Sequence, residues 1–152
     1  MTAPDPTTVT AALWDAVYAR DWERLAAHLG PGAIYYDVPT GPSTAAKGPD
    51  AIVGRLRLGI EPLVRYEHVG GRVATAGDIV MVEHAEIWGW ETGEETTLPF
   101  VSVHRVEGDS VVLWKDYWSY GQLLDHAPEW WKERRFSADL WWLHDAADDP
   151  GL

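Results

Sequence analysis

The sequence predicts an α+β fold, a curved, mostly antiparallel sheet whose N-terminal helices cover one face and leave a cone-shaped pocket. Two observations carry this. Helical periodicity governs most of residues 7–60, and from about residue 63 the pattern changes to four long β segments divided by tight turns. Helices followed by a run of strands place the helices on one face of an antiparallel sheet. With 152 residues and 46% hydrophobic content the chain is sized for one domain, residues 1–152, in which 7–124 form the fold core and 125–152 a C-terminal helical extension.

Val9, Ala12, Leu13, Ala16 and Val17 follow the spacing of an amphipathic helix, with Thr7 or Thr8 as its cap. A short second helix carries Trp22, Leu25, Ala26 and Leu29 and is expected to stop at Gly30-Pro31-Gly32. Residues 33–38 read as a strand leading into a 39–48 loop placed to border a pocket. A helix over about 50–60 follows, with Pro49 and Asp50 suited to its first turn. The segments 64–74, 79–90, 96–106 and 111–120 are strands, and the turn-like Ala76-Gly77-Asp78, Thr92-Gly93-Glu94 and Gly108-Asp109 make them an antiparallel meander. The remainder holds Trp130, Trp131, Phe136, Leu140, Trp141, Trp142 and Leu143, too many apolar groups for a solvated tail. They imply helices that cover the sheet or an oligomer interface, or a lid over the pocket.

A net charge of -12 repels phosphate backbones and anionic membrane surfaces, so neither nucleic acid nor membrane is expected as a partner. The absence of cysteine removes disulfides and thiolate chemistry. The first residues have no basic or apolar stretch and no later run approaches the ~18 apolar residues of a membrane span, from which a cytoplasmic location is expected.

Three short segments carry the chemistry: Tyr35-Tyr36-Asp37-Val38-Pro39, Glu83-His84-Ala85-Glu86 and Trp114-Lys115-Asp116-Tyr117-Trp118. Alternate residues of a strand share a face. Tyr35 therefore projects with Asp37, His84 with Glu86 and Trp88, and Asp116 with Trp114 and Trp118. Carboxyls and a histidine among tryptophans suit a half-buried catalytic pocket, because apolar surroundings shift pKa values. Each residue also has a structural reading: His84 as a satisfied core histidine, Asp37 as a turn former, the tryptophans as core and pocket wall. His68, His84 and His104 lack the spacing of a helical metal pair, and no glycine-rich phosphate loop follows a strand, so neither metal nor cofactor is expected. Ser102 lacks a nucleophile-elbow context.

The order of elements over residues 7–124 resembles the nuclear-transport-factor-two-like superfamily, a cystatin-like α+β barrel whose members include SnoaL-like polyketide cyclases, ketosteroid isomerases, scytalone dehydratases and limonene-1,2-epoxide hydrolases. Locally, Tyr35-Tyr36-Asp37-Val38-Pro39, His84-Ala85-Glu86 and Lys115-Asp116-Tyr117 are similar to the Tyr-x-Asn-x-Pro, Arg-x-Asp and Arg-Asp-Tyr segments of the epoxide hydrolases. The resemblance implies that Asp116 is the base that activates water, that Glu86 is the acid, and that Tyr35 and Asp37 hold the water. His84 stands where that family has an arginine bridging the two acids, and Asp37 where it has asparagine. A histidine titrates near neutrality, which would make the bridge conditional.

Trp22-Glu23-Arg24-Leu25 and Glu67-His68-Val69-Gly70-Gly71 resemble scytalone dehydratase, which adds His68 as an acid/base or substrate-binding candidate, although Val17-Tyr18 stands where that enzyme has a Tyr-Asp pair. Pro99-Phe100-Val101-Ser102 lacks the protonated aspartate of ketosteroid isomerases.

The expected function is a cofactor-independent hydrolase opening an epoxide of a small or medium apolar substrate, with Trp88, Trp114, Trp118 and His68 contacting that substrate. The alternatives are a SnoaL-like cyclase, dehydratase or isomerase, and a non-catalytic small-molecule binding module. A homodimer is expected as well, because Ile79, Met81, Ile87, Val111, Leu113 and Tyr117 should alternate onto the sheet face that the helices leave open.

Overall fold

In the computed structural model, which describes residues 2–149 and 151, helix α1 (Pro6–Ala19) is capped by Asp5 rather than by a threonine. The Asp5 carboxylate accepts the Thr7 backbone N–H at 2.8 Å, and Pro6 takes the first helical position, where no N–H is needed. Val9, Leu13, Ala16 and Val17 form the buried stripe. Helix α2 (Trp22–Ala27) is capped by the Asp21 side chain.

The Gly30-Pro31-Gly32 stretch does not act as the expected breaker before a strand at 33. Strand β1 (Leu29–Asp37) runs through it, and its pairing register slips between Leu29 and Ile34. Gly30 runs close to the neighbouring strand there: a Cβ on it would lie 3.2 Å from Val112 Cγ1.

A single 3-10 turn (Pro42–Thr44) leads to β2 (Ala45–Lys47) and then to α3 (Pro49–Ile60). Strands β3 (Arg65–Ala76), β4 (Ile79–Gly89), β5 (Glu95–Glu107) and β6 (Ser110–Trp118) form the expected meander. Gly71 lies in a β3 bulge against the Glu83 carbonyl, an approach that leaves no room for a Cβ.

The chain ends with α4 (Tyr120–Leu124), α5 (Glu129–Ser137) and β7 (Leu143–His144), so the extension is not helical throughout. The sheet is open, in the order β3-β4-β5-β6-β1-β2-β7. Strand β1 lies parallel to β6 and pairs Asp37 with Asp116, joining two of the three motif segments.

One buried cluster unites α1, α3, the concave sheet face and the extension residues Trp131 and Trp142. The open convex face differs from expectation at two positions. Val111 belongs to the main core because the β5–β6 register shifts beside it, and Leu113 is buried with Ile34, Tyr36, Ala45 and Ala146 under the C-terminal segment. Met81 and Tyr117 remain exposed there. No helix among the described residues is long and apolar enough to cross a membrane.

Candidate active site

The concave face and α3 enclose a cavity with about 660 Å³ of atom-free space, its open mouth included, walled largely by Trp14, Trp88, Phe100, Trp114 and Trp118. Three buried carboxyls, Asp37, Glu86 and Asp116, face it from β1, β4 and β6. Each accepts the indole N–H of a different tryptophan: Trp118 to Asp37 at 2.8 Å, Trp88 to Glu86 at 2.7 Å and Trp114 to Asp116 at 2.8 Å. Two of these pairs are two residues apart on one strand. The in-phase Glu-x-Trp and Trp-x-Asp spacing thus encodes a hydrogen bond as well as a shared face.

Tyr35 joins β1 to β6, its hydroxyl lying 3.0 Å from Asp37 Oδ1 and 3.2 Å from Asp116 Oδ2. Burial, then the adjacent carboxyls, push its pKa far up, so it remains a neutral phenol. Asp37 also forms a buried ion pair with Arg55 of α3 at 2.7 Å, and that guanidinium donates to the Thr44 carbonyl and lies over the Tyr35 and Trp142 rings.

Sequence reading missed Arg55. Its signal was position: an arginine between Ile52 and Leu56 falls on the apolar stripe of α3, where a charge persists only with a partner.

Among the described residues Arg55 is the one cation paired with these three carboxyls, so two further buried anions would lack a counter-ion. Burial pushes Asp116 up to about 8, with the Asp37 charge adding to the rise and hydrogen bonds from Ser102 and Trp114 opposing it. Burial likewise raises Glu86, against the donors Trp88, Tyr66 and Tyr18. The Tyr66 and Tyr18 hydroxyls lie 2.7 and 2.9 Å from Glu86 Oε1. Sequence reading singled out neither tyrosine as a site residue: Tyr18 entered only as standing in place of the dehydratase Tyr-Asp pair.

The two histidine candidates lie outside the cavity lining. His84 is buried with its ring centroid 3.7 Å from that of Phe100, and its polar partners are Ser102 and His68 rather than Glu86. Burial, with His68 and His104 adding, pushes its pKa down to about 3. It is therefore neutral at physiological pH, and the pH-conditional charged bridge expected of it does not form. His68 is exposed on β3 and stacks on Tyr18 at 4.7 Å. His104 is a satisfied core histidine held between Trp14 Nε1 and the Val80 carbonyl, each at 3.1 Å. No group of three or more His, Asp or Glu side chains that could hold a metal occurs among the described residues.

The extension closes over this site. Trp131 is buried beside Trp88 and Trp90 and donates to the Gly59 carbonyl at 3.1 Å, while Arg135 of α5 reaches the cavity wall. Trp141 lies against Gly54, where a Cβ would collide with its ring. Of these aromatics Trp131 and Trp142 are buried against α3 beside the cavity, whereas Phe136 and Trp141 remain largely exposed.

A family model for the SnoaL-like domain matches residues 10–114, more than half of the chain. The protein belongs to the SnoaL-like domain family. Solved structures agree on the fold of this SnoaL-like protein. A candidate SnoaL-like polyketide cyclase from Shewanella putrefaciens CN-32 superposes with a TM-score of 0.71 at 15% identity, covering 82% of this chain and 97% of that one. An LEH-like epoxide hydrolase from M. tuberculosis gives 0.65 at 19% identity, covering 79% and 86%. A hypothetical protein with a ketosteroid isomerase-like fold from Catenulispora acidiphila DSM 44928, in complex with trimethylamine, gives 0.69 at 19% identity, covering 82% and 93%. At such identities the likeness establishes the fold and not the reaction. A sequence comparison with curated proteins finds no match.

Proposed function

We propose that this SnoaL-like protein opens a small, largely apolar epoxide with water, using Asp116 as base and Glu86 as acid. The observation that carries the reading is the pair of buried carboxyls on one aromatic cavity, both with raised proton affinity and each in its own set of donors.

In the reactive form the one proton held by the pair sits on Glu86 and Asp116 is ionised, the less populated of the two placements below about pH 8, where Asp116 holds its proton. Asp116 takes a proton from water as the water oxygen bonds to an epoxide carbon. That carbon's bond to the ring oxygen breaks, and the oxygen takes the Glu86 proton, so the product is a diol. The new Glu86 carboxylate is met by Tyr18, Tyr66 and Trp88, donors already aimed at it, which lowers the barrier without reorganisation. Arg55, Asp37 and Tyr35 hold the Asp116 side of the site. The tryptophan and phenylalanine walls favour an apolar substrate body.

A second reading, proton abstraction beside a carbonyl as in a cyclase or isomerase, is favoured by the elevated Asp116 value of about 8, which suits a base for a weak carbon acid near neutral pH. One experiment separates the two. The purified protein is incubated in ¹⁸O-water with a panel of cyclic and terminal aliphatic epoxides, and in deuterated water with cyclic ketones. Diol carrying one ¹⁸O supports hydrolysis, deuterium exchange beside the carbonyl without diol supports proton transfer, and neither supports a binding module.

A further inference from the structure

Ser102 is fully buried and lines no part of the cavity, yet its hydroxyl lies 2.6 Å from Asp116 Oδ1 and 3.0 Å from His84 Nε2. His84 Nδ1 in turn lies 3.2 Å from Nε2 of His68, which is exposed on the edge strand β3. Four side chains on four consecutive strands, β3, β4, β5 and β6, thus make an unbroken file of hydrogen bonds from solvent to the back of Asp116. It crosses the sheet outside the cavity, and the bond-making and bond-breaking of epoxide opening do not pass through it.

The geometry points to a proton relay in which His68, His84 and Ser102 exchange protons between solvent and Asp116 by a route that bypasses the substrate cavity. Each neutral imidazole has one N–H and one lone pair, and a hydroxyl can donate once while accepting. The file therefore has two self-consistent settings. With Asp116 ionised, Ser102 donates to Asp116, His84 Nε2–H to Ser102, and His68 Nε2–H to His84. With Asp116 protonated on Oδ1, every donor is reversed and His68 carries its hydrogen on Nδ1.

Passing from the second setting to the first moves one proton at each link. Asp116 gives its hydrogen to Ser102, Ser102 gives its own to His84 Nε2, His84 gives Nδ1–H to His68 Nε2, and His68 releases Nδ1–H to water. One proton leaves and Asp116 keeps the negative charge. No other bond is broken and nothing is oxidised. In the proposed hydrolysis this restores the Asp116 base after each turnover, when Asp116 holds the proton taken from water. The Glu86 carboxylate takes a proton back from water entering the cavity mouth once the diol leaves, so no net proton is gained or lost; the inference rests on that reading only in its use.

The surroundings favour neutral carriers. His84 faces His68 and His104 and packs edge-on against Trp14, while His68 faces Asp15 and the Tyr18 ring. Asp116 faces Asp37, Glu86, Tyr35 and Trp114. Burial holds His84 neutral, so the relay works by tautomer exchange rather than by a buried imidazolium.

The test is ¹⁵N NMR of the full chain with labelled histidine, recorded from pH 7 to 10 beside ¹³C detection of the Asp116 carboxyl. As Asp116 titrates near pH 8, His84 and His68 should exchange protonated Nδ1 for protonated Nε2 at the same midpoint. Ser102→Ala should leave the histidine signals indifferent to Asp116, and Asp116→Asn should abolish the exchange. Fixed tautomers through the Asp116 titration in the wild type, or an Asp116 that does not titrate by pH 10, would overturn the relay. The readout is independent of turnover: tautomer exchange without diol formation keeps the relay and removes the hydrolase reading, and diol formation with fixed tautomers does the reverse.

Discussion

Arg55 Nη2 lies 2.7 Å from Asp37 Oδ2 with both side chains buried, so the cation of this site comes from helix α3 rather than from the sheet. Removing one partner of a buried pair strands the other's charge. Arg55→Met should destabilise the fold by about 3–5 kcal/mol, whereas Arg55→Met combined with Asp37→Asn should recover much of that loss. Urea unfolding of both variants checks this, and a double variant no more stable than the single one would remove the pair from the account.

Activity should trace a bell against pH. The working form of the Asp116–Glu86 pair holds one proton, and the two limbs belong to the pair rather than to either residue. Above about pH 8 the pair loses its one remaining proton and no acid remains, so kcat/KM should fall about tenfold per pH unit. Below the raised Glu86 value both carboxyls are protonated and the base is lost. A kcat/KM plateau continuing to pH 10 would contradict this.

Stability should decline on the alkaline side. Between the ordinary aspartate value of 3.8 and about 8, the unfolded chain has released a proton that folded Asp116 keeps, so stability falls as pH rises through that range. His84 and His104 act oppositely: their folded values of about 3 and about 4 against an ordinary 6.5 mean that stability falls as pH drops below 6.5. From pH 6.5 to 8 the loss from Asp116 should be on the order of 1 kcal/mol per pH unit. Thermal unfolding across this window should show it, and Asp116→Asn should flatten it.

A homodimer is still expected, with the convex face around Met81 and Tyr117 as the contact, since both stay exposed beside half-buried Ile79 and Ile87. Light scattering at micromolar concentration should give twice the chain mass, and Met81→Lys should shift it towards monomer. A monomeric wild type would refute the contact.

The strand periodicity located the meander to within two residues at most ends, and phase along each strand put Tyr35, Asp37, Glu86, Trp88, Trp114, Asp116 and Trp118 on one cavity. Phase gives the face of a residue but not its neighbour across the sheet. The parallel pairing of β1 with β6, which sets Asp37 beside Asp116, was therefore not legible. His84 shares a face with Glu86 yet turns to Ser102, because the partner is decided by which strand lies alongside. Gly30-Pro31-Gly32 misled for a similar reason: local breaker strength was outweighed by pairing with β6.

The most direct test of the acid–base account is the turnover of Asp116→Asn on whichever epoxide yields ¹⁸O-diol, measured beside the wild type with its unfolding midpoint. The amide keeps the shape of the carboxylate and cannot accept the water proton. The account predicts a folded protein whose kcat is lower by about 10²- to 10⁴-fold. A folded Asp116→Asn variant that turns over at the wild-type rate would contradict it.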